Sequence, residues 1–124
     1  MCKVVNMTVA DGKQIRVADI KKKYIPNIID AASKCDYIDR VIMFGSSTTE
    51  ACSESSDIDL AVFGNQPKGR CLSSRKFRRF SDQLASFDNF MQAYDILYFK
   101  TGGNDSGLVM DEISRGEMLY AREV

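Results

Sequence analysis

Two short apolar runs, Val41-Ile42-Met43-Phe44 and Leu60-Ala61-Val62-Phe63, are separated by Gly45-Ser46, ten further residues and then Asp57-Ile58-Asp59. Apolar runs of this length bounded by turn residues read as core strands. The ten-residue interval holds a short helix and a loop that bring the second strand back beside the first. Side chains alternate along a strand, so Asp57 and Asp59 project from one face and can share a hard cation. At the other end of the interval, Gly45 lets the backbone approach a phosphate closely and the Ser46 hydroxyl can donate to a phosphate oxygen. The free amides at the start of the short helix add partial positive charge.

The chain has 124 residues, 44% of them hydrophobic and 27% charged, which is enough for one domain with a packed core. Seventeen basic and seventeen acidic side chains give no net charge, so the total does not point to a nucleic-acid or membrane partner. The opening Met1-Cys2-Lys3-Val4-Val5-Asn6 lacks the apolar stretch of a signal peptide, and no run approaches the roughly 20 residues needed to span a bilayer. A cytoplasmic protein is expected. Cys2, Cys35, Cys52 and Cys71 are scattered without a C-x-x-C pair and read as reduced thiols. The chain contains no histidine, which excludes Ser-His-Asp and Cys-His catalysis, a His general base and a Cys/His zinc site. Carboxylate, Lys, Tyr or metal chemistry remains.

Along the chain, residues 3–17 alternate around Asp11-Gly12, a hairpin signal, and predict two short strands. From Ala18 to about Cys35 the apolar positions Ile20, Tyr24, Ile25, Ile28, Ile29 and Ala32 keep helical spacing, with Pro26 starting or kinking a turn. Strands are predicted over 40–44 and 57–63, with one or two helical turns over 47–52 between them and a loop over 64–69. A helix follows from about Leu72 to Phe87, its buried stripe formed by Phe77, Phe80, Leu84 and Phe87. A third strand over 92–100, a Gly102-Gly103-Asn104 loop, a helix over 108–115 closed by Gly116 as its C′ residue, and a short strand over 118–121 complete the chain. No internal repeat or linker divides it, so residues 1–124 read as a single domain, a hairpin over 1–17 and a core over 18–124.

Asp95 is a third acid, set in the apolar strand between Tyr94 and Ile96, where a lone carboxylate is costly unless a cation or donors offset it. Mg²⁺ takes oxygen ligands from one or two carboxylates plus phosphates, and a second ion would need such a third carboxylate. The basic segment Arg70, Arg75, Lys76, Arg78 and Arg79 reads first as the wet side of an amphipathic helix. Without interleaved exposed aromatics, the case for RNA binding is weak. A phosphatase of the Asp-x-Asp-x-Thr kind is disfavoured because Ala61 stands at the threonine position.

Gly45-Ser46, the ten-residue gap and Ser56-Asp57-Ile58-Asp59-Leu60 together resemble the signature of the DNA polymerase β-like nucleotidyltransferase superfamily, in its minimal single-domain form. The likeness extends to a helix before the Gly-Ser strand, a later acid matched by Asp95, and the ending Ile113-Ser114-Arg115-Gly116-Glu117-Met118-Leu119-Tyr120. It implies an α+β fold with a mixed sheet and packed helices, and Mg²⁺-dependent transfer of NMP, AMP first, from an NTP to an acceptor hydroxyl or phosphate. It further implies Asp57 and Asp59 as ligands of one or two Mg²⁺ ions, Asp95 as ligand or acceptor base, and Gly45, Ser46 and Ser47 as the nucleotide-binding turn. Such chains also resemble the antitoxin half of two-gene modules whose partner is a HEPN-domain protein.

One feature departs from the pattern. Many minimal members carry Arg-Gly in the short helix where this chain has Thr49-Glu50, so an acid replaces a phosphate contact. Either another cation, with Arg75, Lys76 and Arg79 as candidates, takes over, or the domain is a weak enzyme that serves as a nucleotide- or partner-binding module. A small-molecule transferase of the aminoglycoside-modifying kind would carry extra helical structure that this chain lacks.

Overall fold

Four of the strands form one mixed sheet in a computed structural model that describes residues 2–9 and 12–122. Strand β3 (Ile38–Phe44) pairs antiparallel with β4 (Ile58–Gly64) and with β6 (Glu117–Ala121), while β4 runs parallel to β5 (Tyr94–Lys100). The N-terminal β1 (Val4–Thr8) and β2 (Gln14–Ala18) form a separate antiparallel hairpin. Its expected turn residue Asp11 lies outside the described residues.

The two faces of the sheet are covered unequally. Val41, Met43, Ile58, Leu60 and Val62 join Ile25, Ile28, Phe80 and Leu84 in the main core, beneath α1 (Ile25–Ser33) and α3 (Arg75–Ser86). The alternate residues Phe44, Ala61 and Phe63 form a smaller cluster with Ile113 of α4 (Leu108–Ser114). Asp59 shares the parity of Ala61 and Phe63, so it stands on this thinly covered face, near the end where β3 stops. Ile15 and Val17 tie the hairpin into the main core, which turns Arg16 outward.

Several expected boundaries shift for local reasons. The single helix expected from Ala18 divides into a 3₁₀ segment, Asp19–Tyr24, and α1, with Pro26 in the first turn. Proline lacks the N–H that would continue the preceding turn. The helix expected from Leu72 starts instead at Arg75, because the Ser74 hydroxyl caps it by accepting from the Phe77 amide at 3.1 Å. Leu72 ends a separate short α2 (Lys68–Leu72), which begins inside the loop expected over 64–69. Phe87, expected in the buried stripe, lies past the helix end and is 38% exposed, although its ring meets Tyr24 edge-on at 5.9 Å.

Gly116 follows α4 as expected of a C′ residue, but for a different reason. A Cβ there would come within 2.5 Å of the Met43 carbonyl oxygen, so the glycine permits close packing against β3. Among the described residues no helix is long and apolar enough to cross a membrane.

Candidate active site

Register brings two of the predicted acids together. Asp59 pairs with Asp95 across the parallel strands β4 and β5, and with Phe44 across β3. Directly after Phe44, Gly45 turns the chain with φ of 75°, and a Cβ at this position would overlap Asp59 Oδ2. Only glycine therefore lets the turn lie against the carboxylate. Gly45→Ala is expected to lower stability by about 1–2 kcal/mol for the left-handed backbone alone and to displace Asp59. Thermal unfolding and nucleotide affinity, measured together, check both effects.

The turn itself is shorter than expected. Gly45–Thr48 forms a 3₁₀ turn, and Thr49 N–H bonds to the Ser46 carbonyl at 3.0 Å. The Thr48 hydroxyl donates to the Gly45 carbonyl at 2.9 Å and the Thr49 hydroxyl to the Ser46 carbonyl at 3.1 Å. Threonine side chains thus satisfy carbonyls that an α-helix would have used, and the helical turns expected over 47–52 do not develop. Ser46 is half-buried at the surface of the turn. Ser47 is fully buried, and its hydroxyl has no hydrogen-bond partner among the described residues.

Asp57 precedes β4 and is exposed, held by a device the sequence reading missed. Lys21 is 1% exposed, and its Nζ donates to the Ser56 carbonyl at 2.7 Å, the Glu54 carbonyl at 3.1 Å and Gln92 Oε1 at 2.6 Å. Gln92 Nε2 in turn donates to the Ser56 carbonyl at 3.0 Å, and Ile58 N–H to the Ala93 carbonyl at 3.1 Å. One buried ammonium thus joins the approach to Asp57 with the approach to Asp95. Burial depresses the Lys21 pKa, while Cys52, Asp57 and Glu54 act in the opposite sense. A signal existed: Lys21 is in phase with Tyr24, Ile25 and Ile28, the apolar stripe of the expected helix.

Electrostatics define the acidic group. Burial first, then the negative charges of Asp95, Asp57 and Glu112, push the Asp59 carboxyl above the ordinary carboxylate range. Glu112, on α4, is a second residue the sequence reading passed over. None of these four acids belongs to an ion pair among the described residues. Asp95 is exposed on the edge strand, so the desolvation cost expected of it does not arise. No group of three or more Asp, Glu, His or Cys side chains among the described residues is placed to hold an ion by protein ligands alone. The donors present are carboxylate oxygens that no basic side chain among the described residues pairs with, which suits a hard cation completed by water and phosphate.

The basic candidates lie elsewhere. Lys76 pairs with Asp36 at 3.2 Å and covers the Tyr37 ring, and Lys76 and Arg79 line a pocket of about 230 Å³ with Ala31, Lys34, Cys35 and Gln83. That pocket lies beside α1 and α3, the helices that cover the other face of the sheet.

Adjacent strands thus present Asp59 and Asp95 in register, with a glycine turn packed on the first. The chain matches the polymerase beta, nucleotidyltransferase family over residues 26–124 and belongs to that family. Among curated proteins none matches it.

Proposed function

We propose that the chain transfers an NMP, with AMP as the first candidate, from an NTP to an acceptor hydroxyl. The observation that carries this is the in-register pair of Asp59 and Asp95 beside Gly45. In the reaction the acceptor oxygen attacks the α-phosphorus, the bond to the bridging oxygen breaks, and pyrophosphate leaves with the bonding electron pair. Asp95, exposed at the sheet edge, takes the proton of the acceptor hydroxyl. Gly45, Ser46 and Ser47 form the turn against which the triphosphate lies, Ser46 through its hydroxyl and the buried Ser47 through its backbone. Mg²⁺, when bound by Asp57 and Asp59 together with the phosphates, would supply Lewis-acid stabilisation of the charge on the leaving group.

The acceptor we favour is a hydroxyl on a partner protein, of the HEPN-domain class to which the resemblance points. A 124-residue domain has little surface to spare for a dedicated small-molecule acceptor pocket. Thr49-Glu50, in place of Arg-Gly, favours the second reading, a catalytically weak module that holds nucleotide or partner.

Incubation with each labelled NTP and Mg²⁺, with and without the product of the neighbouring gene, tests the two readings. Labelled partner supports transfer. Nucleotide binding without any covalent product supports the module. Asp95→Asn is expected to reduce turnover by about 10²–10⁴-fold while changing NTP affinity only a few-fold, as removal of a proton acceptor should. Equal losses in both parameters would make Asp95 a nucleotide ligand.

A further inference from the structure

The turn that packs on Asp59 opens onto a cleft of about 360 Å³ lined by Arg16, Gly45, Thr48, Thr49, Glu112, Arg115 and Gly116. We infer that this cleft is the polyphosphate subsite and that Arg16 and Arg115 supply its positive charge, in place of the basic residue missing at Thr49-Glu50. The inference rests on the nucleotidyltransferase reading only in taking the ligand to be a nucleoside triphosphate. Glu50 lies outside this lining, so the acid that tempers the cleft is Glu112.

Both arginines extend from anchored backbone. Ile15 and Val17, buried on either side, turn Arg16 outward, and the Arg16 N–H donates to Glu117 Oε1 at 2.6 Å, which pins β2 to the start of β6. The Arg16 side chain remains 60% exposed, and its Nε is 3.6 Å from Glu117 Oε1. A guanidinium offers five N–H donors, so this one contact leaves most of the fork for phosphate oxygens. Arg115 closes α4, its N–H bonded to the Glu112 carbonyl at 3.2 Å, and the next residue, Gly116, is seated against β3. Among the described residues Arg115 makes no ion pair.

Charge is therefore divided across the site. Arg16, Arg115 and Glu112 line the cleft, and Gly45, also in its lining, packs on Asp59. This is the layout that fits a ligand carrying both metal and phosphate. Arg16 also lies outside residues 26–124, the stretch that matches the family, so the N-terminal hairpin contributes a ligand-binding residue of this chain's own.

The test is equilibrium binding of inorganic triphosphate and of ATP, each with Mg²⁺, to the full chain at low and physiological salt. Arg16→Gln and Arg115→Gln are each expected to weaken both ligands about ten-fold, with a smaller loss at higher salt. Glu112→Gln should tighten them, and Lys76→Gln should leave both unchanged. Circular dichroism confirms that each variant is folded, and Arg16→Gln retains the backbone bond to Glu117. Unchanged affinity in both arginine variants, while the parent chain binds, overturns the inference and leaves the transferase reading intact. A parent chain that binds neither ligand overturns it as well. Loss of triphosphate binding in both variants of a chain that transfers no nucleotide upholds the subsite and removes the transferase reading.

Discussion

Asp59→Asn is expected to reduce nucleotide transfer by at least about 100-fold and, in the absence of metal, to raise the melting temperature. The first effect follows from the part assigned to Asp59, whose loss removes several kcal/mol of charge stabilisation at about 1.4 kcal/mol per decade of rate. The second follows from its surroundings. Asp59 is partly buried and faces Asp95, Asp57 and Glu112, with no basic side chain paired to any of them among the described residues. Its raised pKa means that the folded chain holds this proton more tightly than the unfolded chain does. The stability so gained is complete below the unfolded pKa and is lost as pH rises through the folded one. At neutral pH the ionised group strains the fold, and an amide relieves the strain. Thermal melts of both proteins across pH 4 to 8, without metal, should show the variant more stable at the neutral end and the gap closing toward acid. A variant less stable at pH 7 would mean that Asp59 is a structural residue.

Lys21→Met is the second large effect, and it goes the other way. The apolar isostere fills the same space but leaves the Glu54 carbonyl and Gln92 Oε1 without their donor, while the Ser56 carbonyl keeps the Gln92 amide. The Gln92 Oε1 acceptor is buried and its loss of a donor costs about 1–3 kcal/mol, the part-buried Glu54 carbonyl less, so a loss of roughly 2–4 kcal/mol is expected. At this chain length that corresponds to a fall of roughly 10–20 °C in melting temperature. Because the same ammonium holds the segment that leads into Asp57, metal-dependent nucleotide affinity should fall as well, measured well below the new melting point. Chemical denaturation checks the stability. A variant within about 0.5 kcal/mol of the parent, the range of ordinary surface substitutions, would show that the buried network adds nothing.

The sequence made the centre of the fold legible because its signals there agree. Gly45, the two apolar runs and the Asp57-Ile58-Asp59 alternation specify one strand pair, and the structure has that pair with Phe44 opposite Asp59. Asp95 was legible as an acid in an apolar run, but its pairing with Asp59 depends on a parallel crossover through α3 that no local signal encodes. The least legible residues were charged ones. Lys21 reads as a solvated lysine unless its phase with Tyr24 and Ile28 is taken at face value, and its acceptors lie 33 to 71 positions away. Arg75, Lys76 and Arg79, the cations expected to serve the triphosphate, are neighbours in sequence, but Lys76 and Arg79 line the pocket beside α1 and α3. Arg16 and Arg115 are far apart along the chain and meet only because the hairpin packs beside β6. Helix ends moved wherever a side chain outcompeted the backbone, as Ser74 does for α3 and Thr48 and Thr49 do for the glycine turn.

The most direct measurement is transfer from ATP labelled at either the α- or the γ-phosphate, with Mg²⁺ and the neighbouring gene's product as acceptor. Label from the α-position should appear on the acceptor with release of pyrophosphate, and Asp59→Asn should abolish it. Transfer of the γ-label, or equal α-label transfer by Asp59→Asn, would contradict the account.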